Sequence, residues 1–145
     1  MAVTAELRPL PRLKGDQAAA SDPQAHVWLS ASAGTGKTQV LSARVFRLLL
    51  QGVEPSAILC LTFTKAGAAE MAHRVNARLA AWVRLPETVL AADLHALGEP
   101  GDPPQRARAR TLFAKVLDAP GGGLRIQTIH GFCQGCSRRF RSRRG

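Results

Sequence analysis

The eight residues Ala-Ser-Ala-Gly-Thr-Gly-Lys-Thr, at positions 31–38, constrain the fold of this chain more than any other stretch. They join an apolar run to a helical pattern, where the backbone N–H groups of a tight loop can converge on phosphate oxygens. Gly34 and Gly36 can adopt the positive φ that such a loop requires. Lys37 adds a positive charge at the β- and γ-phosphates, and the hydroxyl of Thr38 is a ligand for Mg²⁺. The loop therefore predicts ATP and Mg²⁺ as cofactors.

The loop departs from the usual GxxxxGK[ST] pattern because Ala31 stands where the first glycine is expected. The alternative interpretation is a glycine-bearing turn between a strand and a helix that binds no ligand. We take Lys37 and Thr38 as the candidate catalytic residues. The candidate nucleotide-binding residues in the loop are Ser32, Ala33, Gly34, Thr35, Gly36, Lys37 and Thr38.

Composition limits the class of protein and of partner. At 145 residues and 46% hydrophobic content, the chain has the size and the apolar content of a single packed domain. Its formal net charge of +10 suits a polyanionic partner, although a terminal run of arginines is often only solvated. Half of the excess positive charge comes from the last residues: Arg138, Arg139, Arg141, Arg143 and Arg144.

Hydropathy and cysteines bear on location and metal binding. No apolar run is long enough to cross a bilayer, so we expect a cytoplasmic protein without a membrane partner. The three cysteines provide no disulfide framework, and Cys60 lies in an apolar strand pattern that predicts burial. Cys133 and Cys136 have CxxC spacing but lack the second pair of ligands that a structural zinc site requires, even with His130 nearby.

The hydrophobic pattern alternates strands with helices. Strands are predicted at 26–30, at 58–63, which is apolar enough to be buried on both faces, and at 124–129. Helices are predicted at 38–51, 66–83, 86–97 and 104–117, with the last two forming an insertion between strands and Gly52 ending the first. This order predicts an α/β fold with a parallel sheet that binds nucleotide at the carboxyl ends of its strands. The residues expected to face inward are Val40, Leu41, Val45, Leu48 and Leu49 in the first helix and Met71, Val75, Leu79 and Trp82 in the second.

Two further blocks carry a family resemblance. They are Leu-Thr-Phe-Thr-Lys-Ala-Gly-Ala-Ala-Glu-Met at 61–71 and Thr-Ile-His-Gly-Phe-Cys-Gln at 128–134. In order after the phosphate loop, they resemble UvrD-like superfamily 1 DNA helicases and look most like the AddA type, the helicase-nuclease subunit of double-strand break repair. The resemblance implies an incomplete RecA-like, P-loop NTPase motor domain. The resemblance also divides the chain into an N-terminal segment with an adenine-reading glutamine (1–26), part of the ATP-binding domain (27–136) and a basic tail (137–145).

The resemblance also implies roles for single residues. Gln17 occupies the place of the glutamine that reads adenine, the alternative being a merely solvated side chain. Phe63 and Thr64 take the place of a motif that faces single-stranded DNA, where an aromatic ring can stack on a base, although Phe63 is alternatively the last core residue of its strand. His130 would touch the DNA backbone or else cap the following helix. Arg74 and Arg78 could contact phosphate, but arginines on a helix usually face solvent.

Other parts of the family pattern are missing from the sequence given. It contains no apolar strand ending in Asp-Glu, no arginines of a second motor domain and no carboxylate cluster of a nuclease domain. We therefore expect ATP binding without unwinding by this chain alone, and an AddB-like partner in the complete family assembly. The residues after Phe140 depart from the family, which suggests a shifted reading frame. The alternatives are a nonenzymatic nucleic-acid-binding fragment that uses the basic tail, and another P-loop NTPase such as a small nucleotide kinase.

Overall fold

A computed structural model of the chain describes residues 9–30, 32, 34, 36–120 and 123–142, with side chains up to residue 137. The described residues form a mixed α/β fold that is mostly helical. A short 3₁₀ turn at Pro55–Ala57 precedes the first strand. The elements, in chain order, are α1 (Asp16–Ala20), α2 (Lys37–Leu50), β1 (Leu59–Thr62), α3 (Lys65–Arg84), α4 (Glu87–Ala96), α5 (Pro103–Asp118), β2 (Arg125–Thr128) and α6 (Ile129–Ser142).

The two strands lie side by side and run parallel. Leu59 pairs with Arg125, and the register continues to Thr62 opposite Thr128. A parallel pair requires a long crossover, which here consists of α3, α4 and α5. The predicted parallel arrangement of these two strands, with a helical segment between them, is therefore confirmed. The carboxyl ends of β1 and β2 consequently meet at one edge of the sheet.

The strand predicted at 26–30 is wrong. This stretch is not assigned to a strand, and Val27, Trp28 and Leu29 are 44%, 94% and 37% exposed. A strand needs a neighbour for its backbone hydrogen bonds, and among the described residues the sheet contains β1 and β2 alone. The apolar run therefore lies at the surface without the pairing that its composition favours.

The burial predicted for the second strand is also wrong. Residues along β1 alternate between exposed and half-buried, with Leu59 39% and Leu61 44% exposed. Helix α3 contacts the two-stranded sheet, but the face bearing these leucines remains open to solvent. Cys60, expected to be buried, is half-buried, and that burial still raises the pKa of its thiol.

Helix α2 follows the phosphate loop and packs its apolar side into the core. Val40, Val45 and Leu49 are buried as predicted, whereas Leu48 is only half-buried. Leu41 was expected inside but is 52% exposed, because it lies five residues before the buried Phe46 and therefore on the opposite side of the helix. Gly52 follows the end of α2 with φ +91°, in agreement with its predicted role as a helix stop.

The core lies among α2, α3, α4 and α5. The predicted stripe on α3 is confirmed, since Met71, Val75, Leu79 and Trp82 are all buried. The rings of Trp82 and Phe46 lie 5.1 Å apart at a tilt of 49° and join α3 to α2. Such an aromatic pair adds about 0.5–1.5 kcal/mol to the burial of the two rings. The two helices connected to the phosphate loop and to β1 are thus packed against each other.

Candidate nucleotide site and strand-end surface

The described part of the phosphate loop has the backbone that the sequence predicts. Gly34 and Gly36 have φ of +81° and +84°, values that other residues rarely adopt. Gly36 is the N-terminal cap of α2, and Lys37 and Thr38 are exposed in the first turn of the helix. Because that turn contains no acidic residue, its N–H groups and the positive end of the helix dipole favour an anion. Ala31, Ala33 and Thr35 lie outside the described residues, and Ser32 is exposed beside them.

Gln17 lies directly beside the loop. A β-carbon placed on Gly36 would stand 3.2 Å from Nε2 of Gln17 and 3.7 Å from Oε1 of Gln39. The position of Gln17 is set by α1, where its Oε1 also accepts a hydrogen bond of 3.4 Å from the N–H of Lys14. The structure thus brings the candidate adenine-reading amide next to the residues predicted to hold phosphate.

Two arginines on α2 hold the segment that joins α1 to the loop. The guanidinium of Arg44 donates to the carbonyls of Ala20, Asp22 and Ala25 at 3.2, 2.7 and 2.6 Å. Arg47, one turn further, donates to Ser21 Oγ and to Glu99, both at 2.9 Å. These contacts of Arg44 and Arg47 were not predicted from the sequence. The pattern that could have indicated them is the pair of arginines, three residues apart on one face of an otherwise apolar helix.

Phe63 and Thr64 follow β1 with different environments. The ring of Phe63 is 90% exposed, so the interpretation of Phe63 as a core residue is wrong. Thr64 caps α3, its Oγ1 accepting a hydrogen bond of 3.0 Å from the N–H of Gly67. The hydroxyl of Thr64 therefore has a structural task, while Phe63 presents a bare aromatic face to solvent.

His130 lies at the corresponding place after β2. The alternative that His130 caps the helix is wrong, because Thr128 Oγ1 accepts the hydrogen bond from the N–H of Gly131 at 3.1 Å. The ring of His130 is exposed, and its Nε2 lies 3.0 Å from Nε2 of Gln134. Since Thr62 and Thr128 are in register, Phe63 and His130 both follow strands that end at the same edge.

Arg74 and Arg78 have structural partners. Arg74 pairs with Glu70 at 2.9 Å on the surface of α3. Arg78 does not face solvent, contrary to expectation, because it forms an ion pair with the fully buried Asp93. Asp93 also accepts from the indole N–H of Trp82 at 2.7 Å and from the N–H of Leu10 at 2.8 Å. Sequence reasoning missed this network, since nothing local distinguishes Asp93, which is buried, from Glu87, the other acidic residue of α4.

Much of the basic charge in the described chain serves the fold. Arg110 donates to the carbonyls of Trp82, Val83 and Leu85, which closes the C-terminal end of α3. It also pairs with Glu87 at 2.8 Å, and this hydrogen bond holds the pKa of that carboxyl below its usual range. The high net charge is therefore weak evidence for a nucleic-acid surface on the helical core. The side chains of the five terminal arginines lie outside the described residues.

Two further properties concern metals and membranes. Within the described ranges, no three or more His, Cys, Asp or Glu side chains gather into a potential metal site. Cys133 and Cys136 are both free and exposed on α6. None of the helices in the described part is long and apolar enough to span a membrane.

Comparison with known proteins gives a family match. The profile of the UvrD/REP helicase N-terminal domain matches residues 13–145. The AddA component of the ATP-dependent helicase/nuclease of Latilactobacillus sakei is 35% identical over 124 residues, which are 85% of this chain and 12% of that protein. The protein of the same name from Enterococcus faecalis is 33% identical over 119 residues, 82% of this chain and 8% of that protein.

A shorter match is more similar. In the AddA protein of Levilactobacillus brevis, 51 residues are 55% identical, covering 35% of this chain and 4% of that protein. The chain thus spans about one tenth of the length of the relatives that it matches over most of its own length. No solved structure matches the chain.

Proposed function

The chain belongs to the UvrD/REP helicase family, and from that premise we propose that it is the ATP-binding N-terminal part of an AddA-like, ATP-dependent DNA helicase. The proposal includes the finer fold, a P-loop motor domain of RecA type. One observation carries it: the amide of Gln17 lies beside Gly36, at the end of α2 where Lys37 and Thr38 are exposed. Adenine recognition and phosphate binding would then come from adjacent residues.

The residues of the proposed nucleotide site suit a nucleoside triphosphate bound together with Mg²⁺. Lys37 supplies a cation that the helix dipole reinforces, so both favour the β- and γ-phosphates. Gly36 has no side chain, so a phosphate can approach its backbone closely. The positive φ of Gly36 and the nearby amide of Gln17 both disfavour a larger residue at this position. The amide of Gln17 can donate and accept at one adenine edge. Mg²⁺, held by Thr38 when bound, would neutralise charge between the phosphates.

The strand-end surface, defined as Phe63, Thr64 and His130, is proposed to bind single-stranded DNA. The ring of Phe63, at the end of β1, is 90% exposed to water in the free protein. Stacking on a base would remove this apolar surface from water, which is favourable. The exposed His130 follows the neighbouring strand and can donate to a backbone phosphate. Stacking tolerates any base, as a protein that moves along DNA requires.

The proposed function of the larger assembly is double-strand break repair. The names of the relatives describe each as one subunit of a helicase/nuclease, which implies in their own case at least one further component, and we propose an AddB-like partner here. The chain as given lacks an apolar strand ending in Asp-Glu, so we propose binding rather than unwinding as its own activity.

The proposal is tested by isothermal titration of the chain with ATP and Mg²⁺. Lys37→Ala should weaken ATP binding at least about tenfold, because a charge-assisted contact contributes about 1.5–3 kcal/mol. Lys65→Ala is the matched control, since Lys65 is the exposed first residue of α3 as Lys37 is of α2. Equal ATP affinity for the wild type and Lys37→Ala would overturn the assignment.

A further inference from the structure

Helix α1, which carries Gln17, is too short to fix its own position. It has five residues, and an isolated helix shorter than about 12–15 residues is marginal in water. Ala20 is the one residue of α1 that is buried, so this helix places little apolar surface in the core. The place of Gln17 beside Gly36 therefore depends on polar contacts that hold α1 and the residues after it.

Arg44, on α2, provides most of these contacts. Its guanidinium donates to four backbone carbonyls at 2.6–3.5 Å, those of Ala20, Asp22, Pro23 and Ala25. Ala20 ends α1 one turn after Gln17, so the attachment includes α1 itself. Arginine has five N–H donors in a planar fork, which lets one side chain bind several carbonyls of an irregular segment. One side chain thus attaches residues 20–25 to α2.

Arg44 itself lies away from the phosphate loop. It follows Lys37 by seven residues, which is about two turns of α2 and roughly 10 Å along the helix axis. Its guanidinium is engaged by the carbonyls of residues 20–25. Any influence of Arg44 on a bound nucleotide therefore passes through this segment and Gln17, and not through direct contact.

We propose that Arg44 is a positioning residue for base recognition. By holding residues 20–25 on α2, it keeps Gln17 beside Gly36 and so sets the preference of the nucleotide site for adenine. This proposal rests on the proposed function, because it requires that the site bind a nucleotide. Lys37 and Thr38 belong to α2 itself, so loss of Arg44 should weaken base recognition and leave phosphate binding in place.

Three probes separate base recognition from phosphate binding. They are ATP, GTP and inorganic tripolyphosphate, each titrated with Mg²⁺ into the full chain by calorimetry. The wild type should bind ATP about fivefold more tightly than GTP, the effect of one neutral hydrogen bond at the base edge. Tripolyphosphate offers the phosphates without a base, so its affinity reports on Lys37 and Thr38 alone.

Arg44→Lys is the principal variant. It keeps the positive charge, but the three donors of an ammonium sit on one nitrogen and cannot span carbonyls as far apart as those of Ala20 and Ala25. We expect it to bind ATP and GTP equally and to bind tripolyphosphate as the wild type does. Such a split between base and phosphate would not result from a general loss of stability.

Arg110→Lys is the matched control. The guanidinium of Arg110 also donates to backbone carbonyls, and it does so at the C-terminal end of α3. This variant loses the same kind of contacts at a site that holds no part of α1. It should therefore keep the preference of the wild type for ATP, even where it melts at a lower temperature.

A double variant tests whether Arg44 acts through Gln17. Gln17→Ala should abolish the preference for ATP by itself. Combined with Arg44→Lys, it should bind ATP no more weakly than Gln17→Ala alone, because the side chain that Arg44 positions is already gone. Two residues that act through one contact are expected to be non-additive in this way.

Four results would overturn the proposal while ATP binding stands. They are equal binding of ATP and GTP by the wild type, an unchanged preference in folded Arg44→Lys, an equal loss of preference in Arg110→Lys, and a further loss of ATP affinity in the double variant. If the wild type binds neither ATP nor tripolyphosphate, the proposed function itself fails.

A second variant decides the matter if Arg44→Lys does not fold. Pro23→Gly leaves Arg44 in place but gives the attached segment more backbone freedom, so fewer molecules hold Gln17 beside Gly36. The preference for ATP over GTP should fall while tripolyphosphate affinity is kept. An unchanged preference in Pro23→Gly would overturn the proposal.

Discussion

The side-chain amide of Gln17 lies beside Gly36, where a β-carbon would stand only 3.2 Å from Nε2. The two residues are brought together because Arg44 fastens the intervening segment to α2 through backbone carbonyls. An amide of α1 and the first turn of α2 therefore form one surface. In the proposed function, that surface holds the base and the phosphates of ATP.

Gly36→Ala should damage this surface in two ways. A residue with a β-carbon at φ +84° costs roughly 1–2 kcal/mol of folding free energy, and its methyl group would press on Gln17. We expect lower stability in urea and ATP affinity reduced about tenfold. Gly52→Ala is the control, since it has φ +91° but nothing within 4 Å of its β-carbon. It should lose similar stability and keep its ATP affinity, and equal ATP affinity in both variants would contradict the argument.

Asp93→Ala should be severely destabilising. It leaves the buried charge of Arg78 and the N–H of Trp82 without their shared acceptor, a loss of about 3–5 kcal/mol in the free energy of unfolding. Asp93→Asn keeps one acceptor oxygen and should lie between this variant and the wild type in urea denaturation. Glu70→Ala breaks only an exposed pair and should change stability by less than about 1 kcal/mol. Similar losses for Asp93→Ala and Glu70→Ala would refute the buried network.

The thiols should react at two different rates. Cys133 and Cys136 are exposed, whereas Cys60 is half-buried and its burial raises the pKa of the thiol. Because the thiolate is the reactive form, iodoacetamide should modify Cys60 last at neutral pH. Mass spectrometry of the native protein would follow each site, and denatured protein provides the control in which the three rates converge. Modification of Cys60 as fast as Cys133 in native protein would contradict its burial.

The contact between Glu87 and Arg110 should give a pH-dependent stability. The folded-state pKa of Glu87 is lowered, chiefly by the hydrogen bond from Arg110. Its contribution is therefore present above the pKa of the unfolded chain, about 4.3, and is lost as the pH falls through the folded value. The difference in melting temperature between wild type and Glu87→Gln should be greatest near neutral pH and shrink below about pH 4. A constant difference from pH 7 to pH 3 would count against the contact.

Phe63→Ala should weaken binding of single-stranded DNA. Loss of one base stack costs about 1–3 kcal/mol, which is roughly a five- to 150-fold loss of affinity in fluorescence anisotropy with an oligothymidine. Leu117→Ala is the matched control, because it also removes an exposed apolar side chain but at a position distant in sequence from Phe63.

A companion variant separates this surface from the basic tail. Replacing the five terminal arginines by glutamine should reduce affinity and its dependence on salt but leave the effect of Phe63→Ala in place. Binding that depends on the arginines and is insensitive to Phe63 would favour the nonenzymatic basic fragment instead.

Local patterns predicted α2, α3, α4 and α5, because helical periodicity depends on nearby residues, whereas α1 and α6 were not predicted. The stripe of α3, the role of Gly52 and the positive φ of Gly34 and Gly36 required only helical periodicity and the conformational freedom of glycine. The helices of the insertion were predicted to within one residue of their observed ends.

Features that depend on distant partners were missed. Val27 to Leu29 has the composition of a strand, but composition does not provide the neighbouring strand that pairing needs. The half-exposed Leu59 and Leu61 show the same limit, since burial of both faces of a strand depends on layers elsewhere in the chain. The hydrogen bond from Arg78 to Asp93 spans 15 residues of sequence and that from Arg44 to Ala25 spans 19, and hydrophobic periodicity carries no information about such pairs.

Titration of the ¹⁵N-labelled chain with ATP and Mg²⁺, followed residue by residue in amide spectra, tests the proposed nucleotide site most directly. We expect saturable shifts that include both Gln17 and the first turn of α2 at Gly36, Lys37 and Thr38, with GTP causing smaller shifts at Gln17. Saturable shifts elsewhere, with Gln17 and this turn unchanged in a folded protein, would contradict the proposed site.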